Sequence, residues 1–145
     1  MTPQLLLLIH AAATLFMTGL IWFVQVVHYP LFAGVSHDRF AQYERDHTKR
    51  AGWVVGPPML TELGTAATLI YWRPNAIPAW AVWLGLALLG IIWLSTLLQQ
   101  VPEHRRLLSG FDADSHRRLV RTNWIRTFAW TTRAGLSVWF IFLSM

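Results

Sequence analysis

Residues 76–99 read AIPAWAVWLGLALLGIIWLSTLLQ and contain no charged side chain. A helix that crosses the hydrocarbon core of a bilayer needs about 20 consecutive, mostly apolar residues. This stretch meets that requirement and predicts a membrane-spanning helix. Residues 4–28, QLLLLIHAAATLFMTGLIWFVQVVH, meet it equally well.

Two further stretches, residues 53–72 and 123–144, have a similar length but carry charge inside. The first contains Glu62, and the second contains Arg126 and Arg133. Together with the two uncharged stretches they predict an all-α fold, namely a four-transmembrane-helix bundle. The whole chain of 145 residues is expected to form this single domain.

The composition favours the same class of protein. Hydrophobic residues make up 54% of the chain and charged residues 13%, whereas about a quarter of the residues in a soluble domain are charged. There are no cysteines, which excludes disulfides, thiolate metal sites and cysteine nucleophiles. The net charge is +5, but no basic run is interleaved with aromatic residues, so the expected partner is the lipid bilayer and not nucleic acid.

The N-terminal apolar stretch differs from a secretory signal peptide. The first basic residue of the Lys/Arg type is Arg39, so the stretch lacks a positive n-region. It also extends well beyond the length of a signal h-region. We therefore expect it to be a retained transmembrane helix.

The connections between the apolar stretches differ in length and charge. Residues 29–52 and 100–122 are long connections, whereas residues 73–75 form a short turn. In a four-span protein both long connections lie on one side, opposite the two termini. The long connections carry nine Lys and Arg residues and the short turn carries one, Arg73. The positive-inside rule then places the long connections in the cytoplasm of a bacterium, with both termini outside its inner membrane.

The first long connection has a helical pattern. The residues that follow Ser36 at helical spacing are Phe40, Tyr43, Glu44 and His47. This pattern predicts a short amphipathic surface helix between the first two spans, capped by Ser36 and ended by Gly52. In the second connection Pro102 is expected to break the third span. Asp112 or Asp114 is expected to begin a helix that continues into the fourth span.

Glu62 and Arg133 are predicted to pair inside the bundle. At ~1.5 Å per residue, Glu62 lies about 14 Å from Trp53, and Arg133 lies about 15 Å from Asn123. Both depths are near the middle of a ~30 Å core, where an unpaired charge is costly. His10 reaches a similar level from the opposite end. The pair is either a structural clamp or part of a proton path, and Glu62, Arg133 and Arg126 are the candidate catalytic residues.

A second polar group is expected at the cytoplasmic end. Its members, the candidate metal ligands, are His28, Glu44, His47, Glu103 and His104. Glu44 and His47 have the Glu-x-x-His spacing that can present a carboxylate and an imidazole to one metal ion. Such ligands suit iron, manganese or zinc. The alternative is that these side chains are independent, solvated groups. The candidate cofactor contacts are His10, Tyr43 and Asn123.

Four segments carry a resemblance to known proteins: residues 26–32 (VVHYPLF), 101–104 (VPEH), 110–112 (GFD) and 122–127 (TNWIRT). With them the chain resembles a family of uncharacterised bacterial four-helix integral membrane proteins, which implies a topology and no activity. In outline it is also similar to small four-helix protoporphyrinogen oxidases and to anthrone-oxygenase-like proteins. The former bind haem through a first-helix histidine, like His10, and a lysine of a later helix. The only lysine here, Lys49, lies outside the predicted spans.

We therefore expect a membrane-embedded oxidoreductase that acts on a hydrophobic, aromatic or quinone-like substrate. Its cofactor would be iron, as haem or non-haem iron, or zinc. The alternative is a non-enzymatic accessory subunit or a bundle that binds a small hydrophobic molecule. A small transporter is the third option, and it would need a homodimer to form a pathway.

Overall fold

The computed structural model describes residues 2–145, and within that range the protein is helical and has no strand. The expected all-α class is confirmed. Pi-helical turns join α1 to α2 and α4 to α5, and a 3₁₀ turn follows α2. The helices are α1 (Pro3–Phe23), α2 (Tyr29–Leu31), α3 (His37–Tyr71), α4 (Ala79–Ser95), α5 (Val101–Leu107) and α6 (Ala113–Ser144).

Pro102 does not end a helix, so the expected break is wrong. A proline within a helix lacks an N–H donor, and its ring clashes with the carbonyl four residues earlier. The π-turn Thr96–Gln100 lies just before Pro102, and the π-turn Val24–His28 lies just before Pro30. A π-turn inserts an extra residue into the helical hydrogen-bond pattern. Both prolines are thus accommodated while the chain remains helical.

Two continuous helical segments are long and apolar enough to cross a membrane, Pro3–Gly34 and Ala79–Leu107. They cover the first predicted span completely and the third from Ala79 onward. The second and fourth predicted spans lie within α3 and α6, whose apolar parts carry buried charged residues. These charges lower the hydropathy of α3 and α6 relative to the other two segments.

The predicted surface helix is not a separate element. A helix begins after Ser36 as expected, but α3 continues through Gly52 to Tyr71, over 35 residues. A glycine commonly ends a helix by adopting a positive φ, and among residues 2–145 only Gly110 does so. A glycine that stays right-handed costs about 1 kcal/mol relative to alanine, which packing of a long helix outweighs. The two halves of α3 therefore form one continuous helix.

Helix α6 begins where the sequence indicated. Asp112 is its N-cap, and the carboxylate accepts hydrogen bonds from the backbone N–H groups of Asp114 and Ser115 at 3.1 and 3.2 Å. Gly110, with φ +140°, reverses the chain just before this cap. Helix α6 then continues to Ser144. The second connection and the fourth apolar stretch thus share one helix.

Three apolar clusters stack along the bundle. At the end that holds the termini and the short turn, the cluster contains Leu6, Leu7, Leu69, Ile77, Ala81, Val82 and Phe140. The middle cluster contains Met17, Ile21, Met59, Ile92, Ala129 and Trp130. At the opposite end, which we call the loop end, the cluster contains Tyr29, Phe32, Phe40, Leu107 and Leu119. Both long connections therefore lie at the loop end.

The predicted pair of Glu62 and Arg133 is confirmed in the interior. Arg133 Nη2 lies 3.1 Å from Glu62 Oε1, and both side chains are buried. The carboxylate also accepts hydrogen bonds from the Thr14 hydroxyl and the Trp130 indole N–H, each at 2.8 Å. Arg133 Nη1 donates to the carbonyl of Gly85. Because these groups belong to α1, α3, α4 and α6, the pair connects the four longest helices.

We predict that Glu62→Gln strongly destabilises the protein, by about 3–5 kcal/mol, because it leaves the Arg133 charge buried without a counterion. Denaturant titration of the purified protein in detergent measures this change. Glu103→Gln is the matched control. Its partners Arg106 and Arg118 are about half exposed, so its loss is expected to cost about 1 kcal/mol or less. Equal destabilisation by the two substitutions would contradict the conclusion that the buried Glu62–Arg133 pair holds the four helices together.

Candidate functional site

Several titratable side chains meet at the loop end, carried by separate helical segments. The first segment is the π-turn Val24–His28 with α2 directly after it, the second is the first half of α3, and the third is α5. The side chains that meet are His28, Tyr29, Glu44, His47 and His104. We call these five residues the imidazole cluster.

Within the imidazole cluster, His104 bridges a carboxylate and a phenol. Its Nδ1 lies 2.5 Å from Glu44 Oε1, and its Nε2 lies 3.0 Å from the Tyr29 hydroxyl. When Glu44 is ionised it only accepts hydrogen bonds, and this contact then requires a proton on Nδ1 of His104. His104 Nε2 then accepts the hydrogen bond of the Tyr29 hydroxyl. This is the order of groups in a catalytic triad, in which a carboxylate orients an imidazole that serves as a base.

His28 and His47 form a second pair in the imidazole cluster. His28 Nε2 lies 2.9 Å from His47 Nδ1, so one ring donates and the other accepts. Burial, and then the neighbouring imidazoles of His104 and His28, lowers the pKa of His47 to about 3. His47 is therefore neutral at pH 7. Its ring centroid lies 5.2 Å from that of His104, which places the two pairs side by side.

Two cavities adjoin the imidazole cluster. The larger one has a volume of about 520 Å³ and a largely apolar wall, to which α1 and α3 contribute many residues and α4 contributes Trp93. Polar groups occupy one part of the wall, where Tyr29, His47 and His104 lie. The smaller cavity has about 510 Å³, and its wall includes His28 and His47. His47 thus borders both cavities.

The larger cavity also has a buried arginine in its wall. Arg126 is only 6% exposed, and its guanidinium carbon lies 5.3 Å from the centroid of the Trp130 ring. Such a contact over an indole ring partly stabilises a cation. Arg126 thus shares the wall of the larger cavity with Tyr29, His47 and His104.

Asn123 and Tyr43 lie nearby but have different surroundings. Asn123 donates a hydrogen bond to Gln25 at 2.9 Å, and the Gln25 amide donates to the carbonyl of Val120 at 3.2 Å. This contact joins the π-turn after α1 to α6. Tyr43 borders the smaller cavity, and its ring lies 5.4 Å from the Phe32 ring.

Two predicted site residues lie apart from the imidazole cluster. The Glu103 side chain faces α6, and its carboxylate accepts a hydrogen bond from Arg118 of that helix at 2.9 Å. It also accepts one from Arg106 of its own helix, α5, at 2.7 Å. His10 lies near Glu62, with its Nδ1 2.8 Å from the Thr65 hydroxyl. Of the five predicted metal ligands, the structure brings together His28, Glu44, His47 and His104.

Among residues 2–145, no group of three or more histidine and acidic side chains has the arrangement of a metal site. The histidine nitrogens that face each other in the cluster already form hydrogen bonds with each other, with Glu44 or with Tyr29. They are therefore not arranged around a common point. Sequence reasoning did not include Tyr29 among the site residues. Its position between His28 and a proline, at the end of an apolar stretch, is the signal that could have identified it.

No protein-family model, curated protein or solved structure matches this chain. Only the geometry of the imidazole cluster and of the cavities beside it therefore bears on the function of this chain.

Proposed function

We propose that the protein is a four-span membrane protein whose larger cavity binds a hydrophobic, aromatic or quinone-like molecule. We further propose that the imidazole cluster moves protons to and from the polar end of that molecule, as a membrane-embedded oxidoreductase requires. One observation carries this proposal. Tyr29 and His104, two members of a tyrosine–histidine–glutamate chain, lie in the wall of a largely apolar cavity.

The distribution of polarity supports insertion of all four long helices. Large apolar side chains face outward on each of them, for example Phe16, Leu60, Leu94 and Phe142. The charged residues of their apolar parts, by contrast, are buried inside. A soluble protein rarely exposes so much contiguous apolar surface, whereas a lipid-facing bundle does. The buried charges of α3 and α6 are therefore compatible with spanning the membrane.

Hydrogen-bond directions support a role in proton transfer. With the His104 proton on Nδ1, the Tyr29 hydroxyl donates to His104 and its oxygen can accept from a ligand hydroxyl. A proton can then pass from the ligand through Tyr29 to His104, and Glu44 stabilises the resulting imidazolium. Oxidation of a hydroquinone to a quinone releases two hydroxyl protons and passes two electrons to an external electron acceptor, and this hydrogen-bond chain would take up the first proton. The adjacent His28–His47 pair extends the chain of exchangeable protons to the smaller cavity.

Metal binding at the imidazole cluster is a second candidate function. It is favoured by Glu44 Oε2, a buried carboxylate oxygen without a hydrogen-bond partner. The imidazoles of His28, His47 and His104 lie in a row, with ring centroids 4.7 and 5.2 Å apart. Iron or zinc would have to replace the hydrogen bond between His28 and His47.

Elemental analysis of the purified protein separates the metal candidate from the proton-transfer candidate. A metal-binding cluster predicts stoichiometric iron or zinc in the wild type and its loss in the double variant His28→Ala/His47→Ala. Glu103→Gln, which changes a side chain that faces α6 and not the row of imidazoles, is expected to retain the metal. A wild type without bound metal would eliminate this second candidate.

For the topology, we predict that the loop end faces the cytoplasm, because it carries most of the Lys and Arg residues. The chain has no cysteine, so single-cysteine variants can be labelled selectively. In intact cells a membrane-impermeant maleimide should label Asn75→Cys but neither Ser36→Cys nor Ser109→Cys. Labelling of the latter two before permeabilisation would contradict the orientation.

For the ligand, we predict that the wild type in nanodiscs binds decylhydroquinone saturably and that Gly56→Leu abolishes this binding. Gly56 borders the larger cavity, and a Cβ atom built there has no other atom within 4 Å. The leucine side chain should therefore fill the space without clashing. Gly64→Leu is the matched control, because Gly64 lies on the same helix with equal space but outside the cavity wall. Tryptophan fluorescence quenching, corrected with empty nanodiscs, measures the affinity.

The same measurement tests the proton-transfer role. His104→Gln removes the base that holds the Tyr29 hydroxyl, and we expect decylhydroquinone affinity to fall roughly tenfold, as for loss of one hydrogen bond. Unchanged affinity in His104→Gln would favour the non-enzymatic binding bundle. Absence of saturable binding to the wild type would overturn the proposed function.

A further inference from the structure

Buried polar atoms without a partner concentrate around the larger cavity. Among residues 2–145 there are five such side-chain atoms, and three of them belong to residues of this cavity's wall. They are Trp93 Nε1, Gln100 Oε1 and Arg126 Nε. Buried polar groups nearly always have hydrogen-bond partners. Three residues of the cavity wall therefore carry buried polar atoms that the described part of the protein does not satisfy, and two of these three atoms are donors.

The charge of the wall points to the chemistry of the ligand. Two arginines, Arg105 and Arg126, line the larger cavity, and no aspartate or glutamate does within the described part of the chain. Arg105 is exposed to solvent, whereas Arg126 is buried. Among residues 2–145, no carboxylate lies within ion-pair distance of Arg126. The cavity thus has a net positive wall with a desolvated guanidinium in it.

A second buried arginine in the same helix, Arg133, has a partner carboxylate inside the protein. Arg133 lies seven residues after Arg126, on the same face of α6, and it pairs with the buried carboxylate of Glu62. A buried charge is tolerated when it has a counterion and its hydrogen-bonding groups are satisfied. Arg126 lies beside the face of Trp130 and next to the hydroxyl of Tyr29, and neither of these groups is a carboxylate. The described part of the chain therefore supplies no counterion for Arg126.

We propose that the larger cavity selects a hydrophobic molecule with an anionic oxygen head group, a carboxylate or a phenolate, and that Arg126 is the residue that binds this head group. The proposal rests on the proposed function, because it specifies the class of molecule that occupies the same cavity. Trp93 Nε1 supplies a second donor in the wall. The apolar residues Met17, Ile21 and Met59 line the cavity and accommodate the hydrophobic body.

This assignment fits the hydrogen-bond chain at the same wall. Tyr29 and His104 border the cavity together with Arg126. If the chain withdraws a proton from a ligand hydroxyl, the ligand oxygen becomes negative. A guanidinium held in a site of low dielectric then stabilises that oxygen far more than it would in water. Arg126 is thus suited both to bind an anionic ligand and to stabilise the anion that deprotonation creates.

The test compares two ligands that share one hydrophobic body, para-octylbenzoate and para-octylbenzyl alcohol. Binding is measured in nanodiscs of zwitterionic lipid, with empty nanodiscs as the correction for partitioning. We expect the affinity of the wild type for the benzoate to exceed that for the alcohol by about thirtyfold or more, because the alcohol cannot form the buried charge pair. In Arg126→Gln this preference should disappear, while affinity for the alcohol is kept. Arg126→Lys should retain part of it.

Arg121→Gln is the matched control, because it removes an exposed positive charge of the same helix, α6, that lies outside the cavity wall. It should leave the preference for the benzoate within a few-fold of the wild type. Equal affinities of the wild type for the two ligands would overturn the inference and leave the proposed function standing. A preference that survives in Arg126→Gln would also overturn it. If the wild type binds neither of these ligands nor decylhydroquinone, the proposed function itself fails. Should Arg126→Gln misfold, the wild-type preference and its reduction in Arg126→Lys decide the question.

Discussion

The carboxylate of Glu62 lies in the middle of the bundle, and each of its oxygens needs a donor there. The fold supplies those donors from two other helices, through Thr14 of α1 and through Trp130 and Arg133 of α6. Arg133 in turn donates to the carbonyl of Gly85 in α4. A buried carboxylate and a buried guanidinium are stable only together and with their hydrogen bonds made. This requirement sets the relative rotation and height of all four long helices.

The loop end depends on that arrangement because it lies on continuous helices. Helix α3 carries Glu62 and, without a break, Glu44 and His47. The π-turn before Pro30 ends at His28, and the hydrogen bond between Gln25 and Asn123 ties this turn to α6. Because the Glu62–Arg133 pair fixes the positions of the helices, the side chains of the imidazole cluster have few alternative positions. Its pairing is then set by which ring nitrogens come within hydrogen-bond distance.

The two buried arginines of α6 differ in their surroundings, because one has a partner carboxylate and the other has none among the described residues. Arg133 is neutralised by the chain itself, and its surroundings are satisfied. Arg126 stands beside a cavity with no acidic residue of the described chain in its wall. A protein that needed only stability would gain from an apolar residue at this place. The anionic ligand that we propose would supply the counterion that Arg126 lacks within the described chain.

The sequence by itself determined the helical class, the four apolar stretches and the pairing of Glu62 with Arg133. The helices follow from the length of the apolar runs, and the pair follows from the cost of burying a charge. Both can be worked out from the positions of the residues along the chain. The tertiary structure decided whether Gly52 and Pro102 end helices, because packing and π-turns compensate for local preference. It also separated Glu103 from His104. Neighbouring residues on a helix point about 100° apart, so Glu103 meets Arg118 while His104 meets Glu44. Only the rotation of each helix about its axis, which no sequence pattern specifies, determines such partners.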